Sequence, residues 1–133
     1  MSLSSTLKYD SNGLLPAVIQ DADNGEVLMV GFMNAEAVDR TLETRRVTYW
    51  SRSRQKFWVK GESSGHFQHV VDVRTDCDQD CLLVSVEMGG DGAACHTGRK
   101  SCFYRRVEPG GAEGAATGLA FIDDEPARPQ APQ

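Results

Sequence analysis

Short apolar runs, separated by turn-forming residues, mark off the elements of the first hundred positions. Residues 14–19 and 27–32 read as two strands. Asp21, Asp23, Asn24 and Gly25 lie between them, and Asn-Gly is the strongest short hairpin signal. Asn34 is a good N-cap, because its side chain can accept a hydrogen bond from the first helical turn. The pattern then predicts a helix over 35–44, with Ala35, Val38 and Leu42 forming one core-facing stripe and Glu36 suited to the helix dipole. Residues 47–51 are β-branched and aromatic and predict a strand, with 57–60 as its hairpin partner. Further strands are expected over 70–74, 82–88 and 101–107, with a flexible Gly-rich loop at 89–92. The pattern contains no internal repeat. It predicts an α+β domain, mainly antiparallel sheet with one or two helices.

Composition agrees with a globular domain. The chain has 133 residues, 40% of them hydrophobic, which fits one core. No apolar run approaches the ~20 residues that a membrane helix needs. The first ten residues do not look like a secretory signal, so the expected location is cytoplasmic, with no membrane partner. The pattern changes near residue 108. Four of the five prolines and four of the thirteen glycines lie in 109–133. The expected organisation is an N-terminal extension (1–12), a folded domain (13–107) and a mostly disordered tail (108–133). The tail's one apolar patch, 119–122, could act as a docking peptide.

Charge is uneven. The net charge is −5, but residues 39–60 carry seven bases against Asp39 and Glu43. Such a cluster is either a solvated face or a site for an anionic ligand. Nucleic acid is not expected, since the domain as a whole is not basic. Within 50–66, Arg52, Arg54, Lys56 and Lys60 alternate with Trp50, Phe57 and Trp58 and with small hydroxyl residues. Such a segment can hold phosphate by charge-assisted hydrogen bonds and a base by stacking. The plainer alternative is a hairpin with a basic exposed face.

The four cysteines, Cys77, Cys81, Cys95 and Cys102, all fall within 26 residues. In a secreted protein they would suggest disulfides. In a reducing compartment, clustered cysteines more often bind metal or do chemistry. In Asp76-Cys77-Asp78-Gln79-Asp80-Cys81, an extended chain would place Asp76, Asp78 and Asp80 on one face and Cys77 and Cys81 on the other. Carboxylates suit magnesium or calcium and thiolates suit zinc. An EF-hand-like loop is set aside: Cys81 stands where its glycine belongs, and Glu87, at the position of the last ligand, lies in an expected strand. The Cys95-x6-Cys102 spacing is longer than a zinc-ribbon knuckle. Arg99 and Lys100 between these cysteines would lower thiol pKa values. Spacing slightly favours four thiolates, a closed structural zinc, over three, which would leave a position for water. His96, next to Cys95, is the first candidate for moving protons and His69 the second.

Several motifs, in this order, resemble the phosphoribosyl-AMP cyclohydrolase family of histidine biosynthesis. They are Leu15-Pro16-Ala17-Val18-Ile19-Gln20-Asp21, Val27-Leu28-Met29-Val30-Gly31-Phe32-Met33-Asn34, Trp50-Ser51-Arg52-Ser53-Arg54, Trp58-Val59-Lys60-Gly61-Glu62-Ser63-Ser64-Gly65, the Asp76–Asp80 run and Cys95-His96-Thr97-Gly98…Ser101-Cys102-Phe103. The resemblance spans about residues 13–107. It implies hydrolytic opening of the adenine ring of phosphoribosyl-AMP at a cyclic amidine C–N bond. The product would be the phosphoribosylformimino-aminoimidazole carboxamide ribotide. It implies zinc on Cys77, Cys95 and Cys102, and magnesium on Asp76, Asp78 and Asp80. It also implies an intertwined homodimer whose zinc ligands are shared between chains. Cys81 stands where the family commonly has another residue. Under this reading His96 and His69 serve catalysis, with water activated by zinc, and Arg52, Arg54, Lys60 and Glu62 bind substrate. A non-catalytic zinc module and a thiol redox protein compete with it. The second lacks a C-x2-C motif.

Overall fold

The Asn24-Gly25 turn closes the first hairpin. Strand β1 (Leu15–Asp21) runs antiparallel to β2 (Val27–Met33), with Leu15 opposite Met33 and Gln20 opposite Val27. Gly25 has φ +75°, a left-handed conformation that glycine adopts without steric cost. Its amide donates to the Asp21 carbonyl at 2.8 Å. The architecture comes from a computed structural model, which describes residues 3–62, 65–89, 92, 94–95, 99–107 and 119–122.

Helix α1 (Ala35–Thr44) begins at Asn34, whose side-chain oxygen accepts from the Ala37 amide at 2.8 Å. It ends at Arg45, in the left-handed region at φ +63°. Its buried face is Ala37, Val38 and Thr41, with Leu42 partly covered. Ala35 is exposed, so the stripe keeps the expected Val38 and Leu42 but takes Ala37 and Thr41 in place of Ala35. Thr41 ties the helix to the next strand: its hydroxyl donates to the Ala37 carbonyl at 2.8 Å and accepts from the Thr48 amide at 3.0 Å.

Strands β3 (Thr48–Ser51) and β4 (Lys56–Val59) form a separate hairpin, with Tyr49 opposite Trp58 and Trp50 opposite Phe57. Strands β5 (Gln68–Thr75) and β6 (Leu82–Met88) form another, which joins the first. The main sheet has order β2-β1-β6-β5. The β1–β6 pairing is parallel, Ala17 beside Leu82 and Asp21 beside Val86. Parallel neighbours need a long crossover, which here contains α1 and the β3–β4 hairpin. Leu15, Ala17, Ile19, Leu82, Val84 and Val86 line the buried face with Leu28, Met33 and Val38.

Residues 101–104 are not strand, contrary to the expected 101–107 element. Their polar groups are spent elsewhere: the Cys102 amide donates to the Leu28 carbonyl at 2.7 Å, and the Ser101 hydroxyl donates to the Val27 carbonyl at 2.7 Å. Strand β7 covers only Arg105–Val107 and pairs with β8 (Leu119–Phe121), the apolar patch beyond residue 108. The rest of that tail lies outside the described residues, as do Gly90 and Asp91 of the expected glycine loop.

Candidate metal and nucleotide site

The acidic run is a turn, not an extended strand. It links β5 to β6, where Thr75 and Leu82 are the last paired residues. The Gln79 amide donates to the Asp76 carbonyl at 3.1 Å, and Gln79 takes φ +63°. The Asp80 amide donates to the Asp76 carboxylate at 3.0 Å. The turn nevertheless gathers the three carboxylates, with ligand oxygens all within 4.8 Å of one another. This crowding leaves its mark on protonation. Asp80 is pushed up to about 6 by hydrogen bonding with Asp78 and Asp76 and by their charge. Such a group favours whatever positive charge, proton or cation, lies between its oxygens. The N-terminal segment braces the turn: the Lys8 amide donates to the Gln79 carbonyl at 2.7 Å and the Gln79 side chain to the Thr6 carbonyl at 3.2 Å.

The second cluster is built of sulfur. All four cysteines are free thiols. Cys95 is buried, and its backbone amide donates to the Arg99 carbonyl at 3.1 Å. Cys102 exposes part of its surface, yet desolvation of its thiol, together with the charge of Cys95 and a hydrogen bond to it, pushes its pKa up to about 12. Lys60, 4% exposed, has its pKa lowered by burial, and the two thiols oppose that shift. Two close, desolvated thiols beside an ammonium suit a soft cation that could replace their protons.

The two clusters occupy opposite ends of the sheet. The acidic turn lies at the Leu15 end of β1, and Cys102 is bonded to the start of β2, at the Asp21 end. Seven residues of strand separate these ends by about 20 Å. Exposed Cys77 belongs to the acidic end. Among the described residues the three aspartates are the only metal-competent group of three. One chain therefore does not bring Cys77 to Cys95 and Cys102. Cys81 lies with the aspartates, whose charge joins burial in raising its pKa.

Between the ends runs a cleft of about 450 Å³ along β2, from Met29 to Phe32. Tyr49 and Trp58 line it, and Arg52, Arg54 and Lys56 stand at the β3–β4 turn. Arg52 lies 3.9 Å over the Phe32 ring. The structure separates Lys60 from these bases and buries it near the thiols. Glu62 is exposed just beyond β4. His69 is exposed on β5 opposite Glu87, toward the thiol end. His96, with Thr97 and Gly98, lies outside the described residues, and so do Ser63 and Ser64. Lys100 does not face the thiols; it bridges Asp21 at 2.7 Å and Glu26 at 3.1 Å.

Sequence reasoning missed the supports. Tyr49 is 2% exposed, and its hydroxyl donates to Gln68 Oε1 at 2.6 Å. The ring of Tyr49 lies where a Cβ on Gly31 would be, 2.3 Å from the nearest ring carbon. The adjacent Val30-Gly31-Phe32 run was the available signal, since a glycine inside a strand marks a close approach.

These features define a small α+β domain that carries a carboxylate triad able to hold a cation at one end of its sheet, a thiol pair at the other, and a basic, aromatic cleft along β2. The phosphoribosyl-AMP cyclohydrolase family model matches residues 29–104. A phosphoribosyl-AMP cyclohydrolase of Ruegeria pomeroyi is 68% identical over 106 residues, covering 80% of this chain and 87% of the relative. Those of Dinoroseobacter shibae and Paracoccus denitrificans are each 62% identical with the same coverage. The chain belongs to the phosphoribosyl-AMP cyclohydrolase family.

Proposed function

We propose that this chain opens the adenine ring of phosphoribosyl-AMP by hydrolysis, as a step of histidine biosynthesis. The 68% identity to a phosphoribosyl-AMP cyclohydrolase carries the reading, and the separation of a thiol pair from a carboxylate triad supports it. Cys95 and Cys102 would hold zinc, with Cys77 completing the set from a second copy of the chain. Asp76, Asp78 and Asp80 would hold magnesium, for which an all-oxygen donor set is suited. Bound zinc would supply the acidity that makes a water a competent nucleophile near neutral pH.

The chain's own residues do the rest. Arg52 and Arg54, at the β3–β4 turn, line the cleft and bind phosphate. The walls of β2 and β4 hold the ring and exclude water. His69 stands on the thiol side of the sheet and is placed to carry a proton, with His96 adjacent in sequence to Cys95. Lys60 balances the negative charge of the thiolates rather than gripping phosphate.

The test is a spectroscopic assay of ring opening on chelator-stripped protein, with zinc and magnesium supplied separately. Cys95→Ser is expected to lose both zinc retention and activity; a zinc-free, fully active variant would sink the reading. Asp78→Asn is expected mainly to weaken the magnesium response. An unchanged magnesium titration would remove that ion from the triad.

A further inference from the structure

The β3–β4 hairpin carries four aromatic rings, of which Tyr49, Trp50 and Trp58 line the cleft, and only Trp58 is well exposed. Tyr49 is buried. Phe57 has the Arg40 guanidinium 4.0 Å over its ring. Trp50 meets Phe57 edge-on at 4.9 Å and 75°. Trp58 remains. It is 43% exposed, although tryptophan buries a large apolar area when it can.

Its surroundings make it a rigid platform. On one side it packs against Tyr49, with ring centroids 5.0 Å apart at 31°. Tyr49 cannot retreat, because its ring rests against the Gly31 backbone and its hydroxyl is bound to Gln68. The Lys60 ammonium lies 5.6 Å from the Trp58 centroid. The hydroxyl of Tyr49, on which Trp58 packs, lies 3.5 Å from Met29 Sδ, and Met29 follows Leu28, whose carbonyl accepts from the Cys102 amide, so Trp58 stands at the thiol end of the cleft. The other end is basic, at Arg52 and Arg54.

We infer that Trp58 stacks on the purine ring of the nucleotide and sets its direction in the cleft. The ring then lies toward Cys102 and a phosphate lies at the β3–β4 turn. The ligand's identity rests on the function proposed above, while the platform rests on the geometry of Trp58. The volume, about 450 Å³, falls in the range of small-molecule sites. Stacking reads only the flat face of a base, so Trp58 distinguishes a nucleotide from a sugar phosphate but not one purine from another.

The experiment uses the full chain with two ligands that the proposed reaction does not consume. AMP and ribose 5-phosphate are titrated calorimetrically. Trp58→Leu is expected to weaken AMP roughly 10- to 100-fold, the effect of removing one stacking ring, and to leave ribose 5-phosphate within about twofold. Trp58→Phe is expected to keep most of the AMP affinity. In a Trp50→Phe protein Trp58 is the sole indole, since the chain has two tryptophans. There AMP is expected to quench fluorescence and ribose 5-phosphate is not. Absence of that quench overturns the inference. So does equal weakening of both ligands, or a Trp58→Leu protein whose oligomeric state differs from the parent by sedimentation. A protein that binds AMP through Trp58 but does not open phosphoribosyl-AMP would sink the proposed function alone.

Discussion

Ser101 holds the thiol loop with one hydroxyl. It is buried, donates to the Val27 carbonyl at 2.7 Å and accepts from the Phe103 amide at 2.9 Å. Ser101→Ala strands both partners and is expected to cost about 1–3 kcal/mol in a denaturant titration. Because Cys102, a zinc ligand under the proposed function, is the next residue, the variant should also release added zinc faster to a chelator. Lys100 holds the same loop by charge. Its hydrogen bond is the main reason Asp21 sits below its ordinary pKa. The carboxylate share of this stability is therefore present above the unfolded pKa of Asp21 and fades as pH falls through the lower folded value. The pKa of Lys100 is raised, chiefly by the same bond, so its own share lasts through neutral pH and is lost only as pH rises past its folded value. Lys100→Met should cost up to about 1 kcal/mol near pH 7, with the pair partly solvent-screened, and close to nothing near pH 2. A difference from the parent that does not change across that range would remove the ion pair as its cause. None of these supports was legible in the sequence. Spacing marks Cys95 and Cys102 as chemistry, but nothing local tells which carbonyl a serine 74 residues away will reach.

Elements whose rules are local were legible. The helix falls on residues 35–44 and β6 on residues 82–88, as the pattern predicts. The Asn34 cap is local in the same way, and Asn34→Ala is expected to lower stability by about 1 kcal/mol; an unchanged melting curve would show that tertiary contacts hold the helix start unaided. Elements decided by tertiary partners were not legible. The parallel β1–β6 pair joins segments more than sixty residues apart. The acidic run satisfies alternation on paper, but its position between β5 and β6 makes it a turn. The carboxylates still converge, so the chemical expectation outlived the conformational one. Strand β8 draws Phe121 onto Tyr104, with centroids 5.9 Å apart and nearly parallel rings. The Arg99 guanidinium lies 4.3 Å from one ring and 4.8 Å from the other. Composition marks 119–122 as an apolar patch able to dock, but not β7 as the segment it pairs with.

At the scale of the whole molecule, the two ends of β1 set a constraint that no local change removes. Cys77 belongs to the acidic end, and Cys95 and Cys102 belong to the other, about 20 Å away. If the three thiols share one zinc, the third must come from another chain, and a two-fold axis makes two such sites at once. Mixing variants separates this arrangement from a site within one chain. Cys77→Ser and Cys95→Ser proteins should each be inactive and unable to retain zinc. Unfolded and refolded together in equal amounts, half of the dimers in such an arrangement would be mixed. In a mixed dimer one site carries both substitutions, and the other keeps Cys77 from one chain with Cys95 and Cys102 from its partner. Activity and zinc should therefore return to about a quarter of the parent value. A mixture that remains as inactive as its components would place all zinc ligands within one chain, and would require the sheet to bring its two ends together in a way that β1 does not permit.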